Sequence, residues 1–381
     1  MSTSAHALQS LSLTEFRSYE RLDFDVAGRS AYLYGPNGAG KTNLLEAISV
    51  LNPGKGLRGA SYAELGRHLP GEAAGKPWGV VARLNSGEDE VQLATGSDPR
   101  DRNKRTVRLD QQPVPASRLL DHLRMIWLTP AHDRLFIEAR AERLRFFDRL
   151  VYAALPGHAA VVSAYEKALR ERLRLLTDGR EGVGADETWL TVLEQKLAIN
   201  GAQMMAARQD ALEALQTEIG NHQGAFPKAD LKLTTDHAGG DLIEGFRRSR
   251  SRDSEAGRSL YGPHRMDLEV VHRDKNRPAA DCSTGEQKAL LLNIILAQGA
   301  RLAKGEGARL ATGSKASPPL LLLDEVAAHL DPVRRHALFD ETHALGLQTF
   351  FTGTDLGLFD GLKNRALGVR VEAGHFVDFV D

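Results

Sequence analysis

Residues 35–42 read Gly35-Pro36-Asn37-Gly38-Ala39-Gly40-Lys41-Thr42, a full match to the phosphate-binding loop pattern GxxxxGK[ST]. The preceding segment, residues 29–34, alternates apolar and polar side chains as a β-strand does, and residues 43–51 have the apolar spacing of a helix. The glycines allow main-chain N–H groups to turn toward phosphate, and the helix N-terminus adds positive partial charge. The sequence therefore predicts a nucleoside triphosphate site at this loop.

Four side chains have predicted roles in this site. Lys41 is expected to reach the β- and γ-phosphates, and the Thr42 hydroxyl is expected to bind Mg²⁺. The metal also needs a carboxylate on a neighbouring strand, and residues 319–325 read PLLLLDE, an apolar run that ends in two acids. Such a run is typical of a buried parallel strand, whose carboxyl end is where ligands bind. We expect Asp324 to hold the metal, directly or through water, and Glu325 to polarise an attacking water.

The bulk composition excludes several classes of protein. The 381 residues include 49 Lys and Arg against 50 Asp and Glu, so the chain lacks the basic excess of a dedicated nucleic-acid binder. Apolar runs stay below the roughly 18 residues of a membrane span, and residues 1–6 lack the pattern of a signal peptide. The single cysteine, Cys282, rules out an internal disulfide framework. We expect a cytoplasmic protein without membrane contact, in which any DNA-binding charge is gathered on one face or supplied by a complex.

The periodicity divides the chain into three segments. Residues 1–138 hold the phosphate loop and short alternating runs that predict antiparallel strands at 11–19, 21–26, 80–84, 90–94 and 106–110. In residues 139–255 the apolar period becomes mainly helical and predicts a helical hairpin or bundle. Residues 256–381 carry the acidic strand. The predicted fold is α/β, a nucleotide-binding head with a mixed sheet, antiparallel N-terminal strands and an inserted α-helical lobe.

Two basic segments are candidates for contact with nucleic acid. Lys55 and Arg58 lie in the Gly-rich loop 52–58, for which a solvent-facing loop and a nucleic-acid contact are equally supported. The strongest basic cluster ends the helix predicted at 241–252 and consists of Arg247, Arg248, Arg250 and Arg252. A helix C-terminus attracts cations by itself, so a structural role and a phosphate contact both stay open for this cluster.

Three further motifs follow the helical segment. Residues 283–287, Ser-Thr-Gly-Glu-Gln, precede a clear helix, and Ser283 with Glu286 predicts a capping box. The acidic pair is followed by an Ala-x-Leu-Asp turn that ends at Asp331, and a strand at 348–351 leads into Thr352. In this order the motifs resemble the heads of ABC-type ATPases and, within that class, the RecF family, whose heads are related to those of SMC proteins.

The resemblance to the RecF family covers nearly the whole chain. It rests on six stretches: LSLTEFRSYE (11–20), GPNGAGKTN (35–43), NPGKGLRG (52–59), LYGPHRMDLEV (260–270), CSTGEQKALLL (282–292) and LLLLDEVAAHLD (320–331). It implies the fold of an ABC-type ATPase head, with ATP and Mg²⁺ as cofactors. The fourth stretch is best interpreted as a structural turn. Within it, Arg265 and Asp267 could pair.

The resemblance also implies how the site is completed. Two heads bind ATP face to face, so that the phosphate loop of one subunit, with Asn43 after it, meets Ser283 and Gly285 of the other. Asp331 then belongs to the turn at the dimer interface. Thr352 takes the place beside the γ-phosphate where many transporter ATPases have a histidine.

The implied activity is slow ATP hydrolysis that controls DNA binding in repair, replication, recombination and the SOS response. The implied substrate is gapped DNA, at junctions of double-stranded and single-stranded DNA, where the protein acts with RecR and RecO so that RecA can load. Two alternatives are a transporter-type ATPase subunit and a small-molecule phosphotransferase. The long interval between Lys41 and Ser283 argues against the transporter subunit, and the Asp324–Glu325 pair, better suited to water activation, argues against the phosphotransferase.

Overall fold

The computed structural model describes residues 7–69, 71–72, 75–86, 89–178, 186–236, 240–305 and 318–380. Residues 1–6, on which the expected absence of a signal peptide rests, lie outside this range. The chain divides into two units, a first of residues 1–133, 222–226 and 291–381, and a second of residues 134–221 and 227–290. Among the described residues, no helix combines the length and the apolar character that crossing a membrane requires.

The strands and helices are numbered in chain order. The strands are β1 (Leu8–Phe16), β2 (Tyr19–Asp25), β3 (Ala31–Tyr34), β4 (Gly79–Ser86), β5 (Asp89–Ser97), β6 (Arg105–Leu109), β7 (Gln112–Pro113), β8 (Met125–Leu128), β9 (Ala229–Thr234), β10 (Asp267–His272), β11 (Arg277–Pro278), β12 (Leu320–Leu323), β13 (Thr349–Gly353), β14 (Leu367–Glu372) and β15 (His375–Val380). The helices are α1 (Lys41–Ser49), α2 (Arg140–Ala154), α3 (Gly157–Asp178), α4 (Glu187–Asn221), α5 (Leu242–Ala256), α6 (Thr284–Ala303) and α7 (Pro332–Ala344).

The first unit contains an antiparallel sheet in the order β2-β1-β4-β5-β6-β7. Its strands alternate as the sequence predicts, so that in β2 the side chains of Tyr19, Leu22 and Phe24 are buried between exposed polar neighbours. One face of this sheet therefore contributes to the apolar core. The antiparallel strands expected before and after the phosphate loop are confirmed.

The same unit contains a second sheet in the order β15-β14-β3-β13-β12-β8. The strands from β14 to β8 are mutually parallel, and β15 pairs antiparallel at the edge. Every residue of β3, β8, β12 and β13 is buried, which explains their apolar composition. The predicted α/β head with a buried parallel strand before Asp324 is confirmed.

The second unit combines α2 to α5 with the antiparallel sheet β11-β10-β9. Helices α3, α4 and α5 pack around a core that includes Tyr165, Leu193, Leu197 and Phe246. This unit extends past the lobe expected at 139–255, because β10 pairs with β9 along its whole length and so joins the helices. The segment before residue 291 therefore packs with the helical unit, whereas the sequence periodicity assigned everything after 255 to the head.

Candidate nucleotide-binding site

The phosphate loop lies between β3 and α1, as predicted, and its backbone requires glycine at two close approaches. Gly35 has a φ of 145°, and a Cβ there would lie 2.2 Å from the carbonyl oxygen of Val371. Gly40, with a φ of 115°, precedes the helix, and a Cβ there would lie 2.8 Å from Ser18 Oγ. Any larger residue would have to displace backbone or neighbouring side chains, so the glycines fix the shape of the loop.

The ammonium group of Lys41 lies inside this loop. Its Nζ donates hydrogen bonds to the carbonyl oxygens of Gly35 at 2.7 Å and Pro36 at 2.8 Å, and the side chain is buried. Burial lowers the pKa of Lys41, while the charges of Glu325 and Asp324 act in the opposite direction. A desolvated cation held by the backbone of such a loop is suited to bind phosphate.

Asp324, at the carboxyl end of β12, joins the two halves of the site. Its Oδ1 accepts hydrogen bonds from Thr42 Oγ1 and Thr352 Oγ1, each at 2.8 Å. Burial raises the pKa of Asp324, and the two hydroxyl donors oppose that shift. Such bonds would hold the carboxylate in one orientation toward the loop.

These oxygens fit the hard donors that Mg²⁺ prefers. A hydroxyl and a carboxylate at hydrogen-bonding distance, Thr42 and Asp324, are the protein ligands expected beside substrate phosphates. Among the described residues, no group of three or more His, Cys, Asp or Glu side chains could hold a metal by itself. A magnesium ion here would therefore complete its shell with phosphate and water oxygens.

Glu325 and Thr352 are held together beside Asp324. The backbone of Glu325 has a φ of 55°, in the left-handed region that a residue with a side chain rarely adopts. Its N–H donates to Thr352 Oγ1 at 2.8 Å, and Thr352 is fully buried. The Thr352 hydroxyl thus accepts from the Glu325 N–H and donates to Asp324, so one hydroxyl links both acidic residues.

Two supports of the loop were missed by sequence reasoning. The Tyr19 hydroxyl donates to the Gly40 carbonyl at 3.0 Å, and the Gly374 N–H donates to the Ala39 carbonyl at 2.8 Å. Gly374 lies in the turn of the β14–β15 hairpin, which was not predicted. Its signal was available in the sequence, because alternating runs flank a two-residue segment that contains Gly374. In the structure Ala373 and Gly374 both have positive φ, as in the tight turns that join antiparallel strands.

The loop after α1 is tied to that helix through Arg58. Its Nη1 donates to Asn43 Oδ1 at 2.9 Å and to Glu46 Oε2 at 3.2 Å. Glu46 is fully buried and also accepts two hydrogen bonds of 2.8 Å from Arg17. Arg58 remains 43% exposed and Lys55 is exposed, so contact of both with nucleic acid stays a prediction.

Ser283 and Gly285 lie in the second unit, where both are exposed at the start of α6. The predicted capping box is confirmed, since the Ser283 N–H donates to Glu286 Oε2 at 2.8 Å and the Glu286 N–H donates to Ser283 Oγ at 3.4 Å. Hydrogen bonds from Lys275 and Ser283 lower the pKa of Glu286 to about 2. In the first unit, Asp331 caps α7 by accepting the Arg334 N–H at 2.9 Å.

The arginine cluster of α5 does not end that helix, which continues to Ala256. The expected attraction to a helix C-terminus therefore does not explain the cluster. Arg250 turns inward, where it donates to both carboxylate oxygens of Glu194, at 2.8 and 2.7 Å, and to Glu187 at 2.6 Å. These bonds raise the pKa of Arg250, and the two glutamates balance its positive charge. The exposed members of the cluster are Arg247, Arg248 and Arg252.

Arg265 and Asp267 do not pair. Asp267 instead accepts two hydrogen bonds from Arg143, at 2.7 Å to Nε and 2.6 Å to Nη2. Sequence proximity favoured the wrong partner, because Asp267 begins β10 whereas Arg265 ends a short 3-10 turn, Pro263–Arg265.

Comparisons with known proteins agree with this architecture. Residues 7–375 match the family described as RecF/RecN/SMC N terminal domain. The chain is 56% identical over 380 residues to the DNA replication and repair protein RecF of Caulobacter vibrioides, covering 96% of each. It is 44% identical over 382 residues to the protein of the same name from Rhizobium etli, covering 97% of this chain and 98% of the relative.

Two solved structures show the same fold. One is described as the recombination mediator protein RecF-ATPrS in the RecFOR pathway; it matches with a TM-score of 0.79 at 21% identity and covers 100% of both chains. The other is an SmcHead bound to the C-winged helix domain of ScpA, with a TM-score of 0.54 at 17% identity, covering 98% of this chain and 97% of that one. The fold, the phosphate loop and the extent of sequence identity together show that the chain belongs to the RecF family of ABC-type ATPase heads.

Proposed function

We propose that this protein is an ATP-dependent DNA-binding protein of recombinational repair and replication. The observation that carries the proposal is the hydrogen-bonded set of Thr42, Asp324, Thr352 and Glu325 at the phosphate loop that holds Lys41. This set contains the groups that ATP hydrolysis needs. The names of the relatives support replication and repair over the transporter subunit and the phosphotransferase.

In the proposed reaction the loop binds the triphosphate and Lys41 pairs with its β- and γ-phosphates. When bound to Thr42 and Asp324, Mg²⁺ would supply positive charge that stabilises the phosphate oxygens. Glu325 accepts a proton from the water that attacks the γ-phosphorus, and the bond to the β-phosphate oxygen breaks to give ADP and phosphate. Thr352 holds both acids in place during this step.

We further propose that ATP drives two heads together and that hydrolysis releases them. Ser283 and Gly285 are exposed, as contact with the nucleotide of a partner head requires, and Asp331 would lie at the same interface. The dimer would bind gapped DNA at junctions of double and single strands and act with RecR and RecO to promote RecA loading. A role in DNA repair and replication would place the protein in the cytoplasm.

The direct test measures ATP hydrolysis by the wild-type chain, and its binding to a gapped duplex with and without ATP and Mg²⁺. We expect slow hydrolysis and DNA binding that requires ATP. Hydrolysis without any DNA binding in either state would overturn the DNA function and leave an ATPase of the same fold.

Replacing Thr352 by valine should slow hydrolysis roughly ten- to a hundredfold, because small displacements of catalytic groups have effects of this size. The Glu325 N–H would lose its acceptor, and the Asp324 carboxylate would lose one hydroxyl donor. The KM for ATP should change little, since the phosphate loop is untouched. Thr352→Ser keeps the hydroxyl and should restore the rate; equal losses in both variants would indicate a packing effect.

Reversing the charge of Arg247, Arg248 and Arg252 to glutamate should weaken DNA binding and flatten its dependence on salt, since each lost duplex phosphate contact removes about 0.9 from the log–log slope. Arg250→Gln is the matched control. It should leave the slope unchanged but lower the free energy of unfolding by roughly 1–3 kcal/mol, because Glu194 loses charged hydrogen bonds. Identical slopes in all variants would show that the cluster is only a solvated helix face.

A further inference from the structure

Arg265, in the second unit, is a cation without an acidic hydrogen-bonding partner. Among the described residues, no carboxylate forms an ion pair with it, since Asp267 is occupied by Arg143. The Nε atom of Arg265 is buried and has no hydrogen-bond partner. A charged donor that stays unpaired is costly and rare. Arg265 as a whole is only partly buried, so its guanidinium group is suited to receive an acceptor from outside the chain.

Two further arginines lie close to Arg265. Arg140 Nη1 donates to the carbonyl oxygen of Arg265 at 3.1 Å and to Asp236 Oδ2 at 2.6 Å. Arg258 is exposed and follows the left-handed Gly257, which ends α5. Burial lowers the pKa of Arg265, and the positive charges of Arg140 and Arg258 lower it further, against the charge of Asp236. Among the described residues, the charges that act on the pKa of Arg265 are thus two positive and one negative, which leaves an excess of positive charge.

The segment that carries Arg258 and Arg265 is held firmly in shape. His264 lies between the Tyr165 hydroxyl, 2.8 Å from its Nδ1, and the Ser259 carbonyl oxygen, 3.2 Å from its Nε2. Burial is the main cause that lowers the pKa of His264 to about 4, so its ring is neutral at pH 7. The ring therefore adds no charge here, and its two hydrogen bonds brace the segment from both sides. A rigid frame reduces the entropy lost when the arginines bind a ligand.

We propose that Arg140, Arg258 and Arg265 form a binding site for a phosphodiester group of the DNA backbone. This inference rests on the proposed function, because it requires that the chain binds DNA. Guanidinium groups offer planar pairs of donors that match phosphate oxygens, and contacts to backbone phosphates need no particular base sequence. The site differs from the arginines of α5, where Arg250 already has two carboxylate partners.

The test compares Arg258→Gln, Arg265→Gln and the double variant with wild type in binding to a gapped duplex, in ATP and Mg²⁺, over a series of salt concentrations. Each single variant should reduce affinity roughly tenfold, in line with a lost charged hydrogen bond. Each should also reduce the log–log salt slope by about one, irrespective of base sequence. Arg145→Gln is the control, because this exposed arginine of α2 pairs with Glu142 and the same charge is removed.

Arg258 is exposed, so Arg258→Gln keeps the test valid even if Arg265→Gln unfolds, which thermal unfolding will show. If wild type binds DNA and Arg258→Gln keeps the affinity and slope of Arg145→Gln, the phosphate site is wrong and the proposed function stands. If wild type does not bind DNA in ATP, the proposed function fails and the site falls with it. A log–log salt slope that is reduced in Arg258→Gln but not in Arg145→Gln supports the site.

Discussion

Lys41→Ala should weaken ATP binding by roughly 3–5 kcal/mol, more than a hundredfold, because it removes a desolvated cation from among the phosphate oxygens. In the structure the ammonium group is buried and makes two short hydrogen bonds to the loop's own carbonyls. The main-chain N–H groups of the loop remain in the variant, but they carry only partial charge. The lysine is therefore expected to supply most of the attraction for the γ-phosphate.

Titration calorimetry with ATP and Mg²⁺ measures this effect directly. Lys55→Ala is the control, since it removes an exposed lysine from the following loop and should bind ATP as wild type does. Unfolding curves should be recorded for both, because Lys41 also holds the carbonyls of Gly35 and Pro36. An unchanged affinity in folded Lys41→Ala would contradict the assignment of the phosphate loop.

The nucleotide site could be predicted because its parts are local patterns. The phosphate loop needs glycine at fixed spacing, and the strand before Asp324 is buried on both faces, so it appears as an unbroken apolar run. That both halves meet also follows from physics, since a triphosphate site needs a metal carboxylate beside the loop. In the structure, a hydrogen bond of 2.8 Å from Thr42 Oγ1 to Asp324 Oδ1 joins the two halves.

Other features depend on partners distant in the chain, and local patterns do not determine them. Arg250 sits in a basic run, yet its charge is neutralised by Glu194, which lies on another helix. Asp267 pairs with Arg143 instead of the nearer Arg265 for the same reason. The left-handed backbone of Glu325 has no signal in residue type either, because only the surrounding structure can impose such a strained conformation.

Glu325→Gln should slow ATP hydrolysis by roughly a hundredfold or more, the usual contribution of a general base, while ATP binding stays near the wild-type value. The substitution keeps the shape of the side chain. It also keeps the Glu325 N–H bond to Thr352, and the left-handed φ is equally demanding for both residues. The variant therefore removes the proton acceptor and little else, and a head dimer that separates only after hydrolysis should accumulate.

Light scattering on Glu325→Gln, with and without ATP and Mg²⁺ and then with a gapped duplex, tests both parts of this expectation. Glu90→Gln, which changes an exposed carboxylate of β5, should turn over normally and form no lasting dimer. Normal turnover by Glu325→Gln would remove Glu325 as the base. Stalled turnover by a protein that stays monomeric in ATP would keep Glu325 as the base but contradict dimerisation, and the exposed Ser283 would then need another explanation. A stable ATP-dependent dimer that binds the duplex would instead make Ser283 the next residue to replace, because the proposed closure of the site across two heads depends on it.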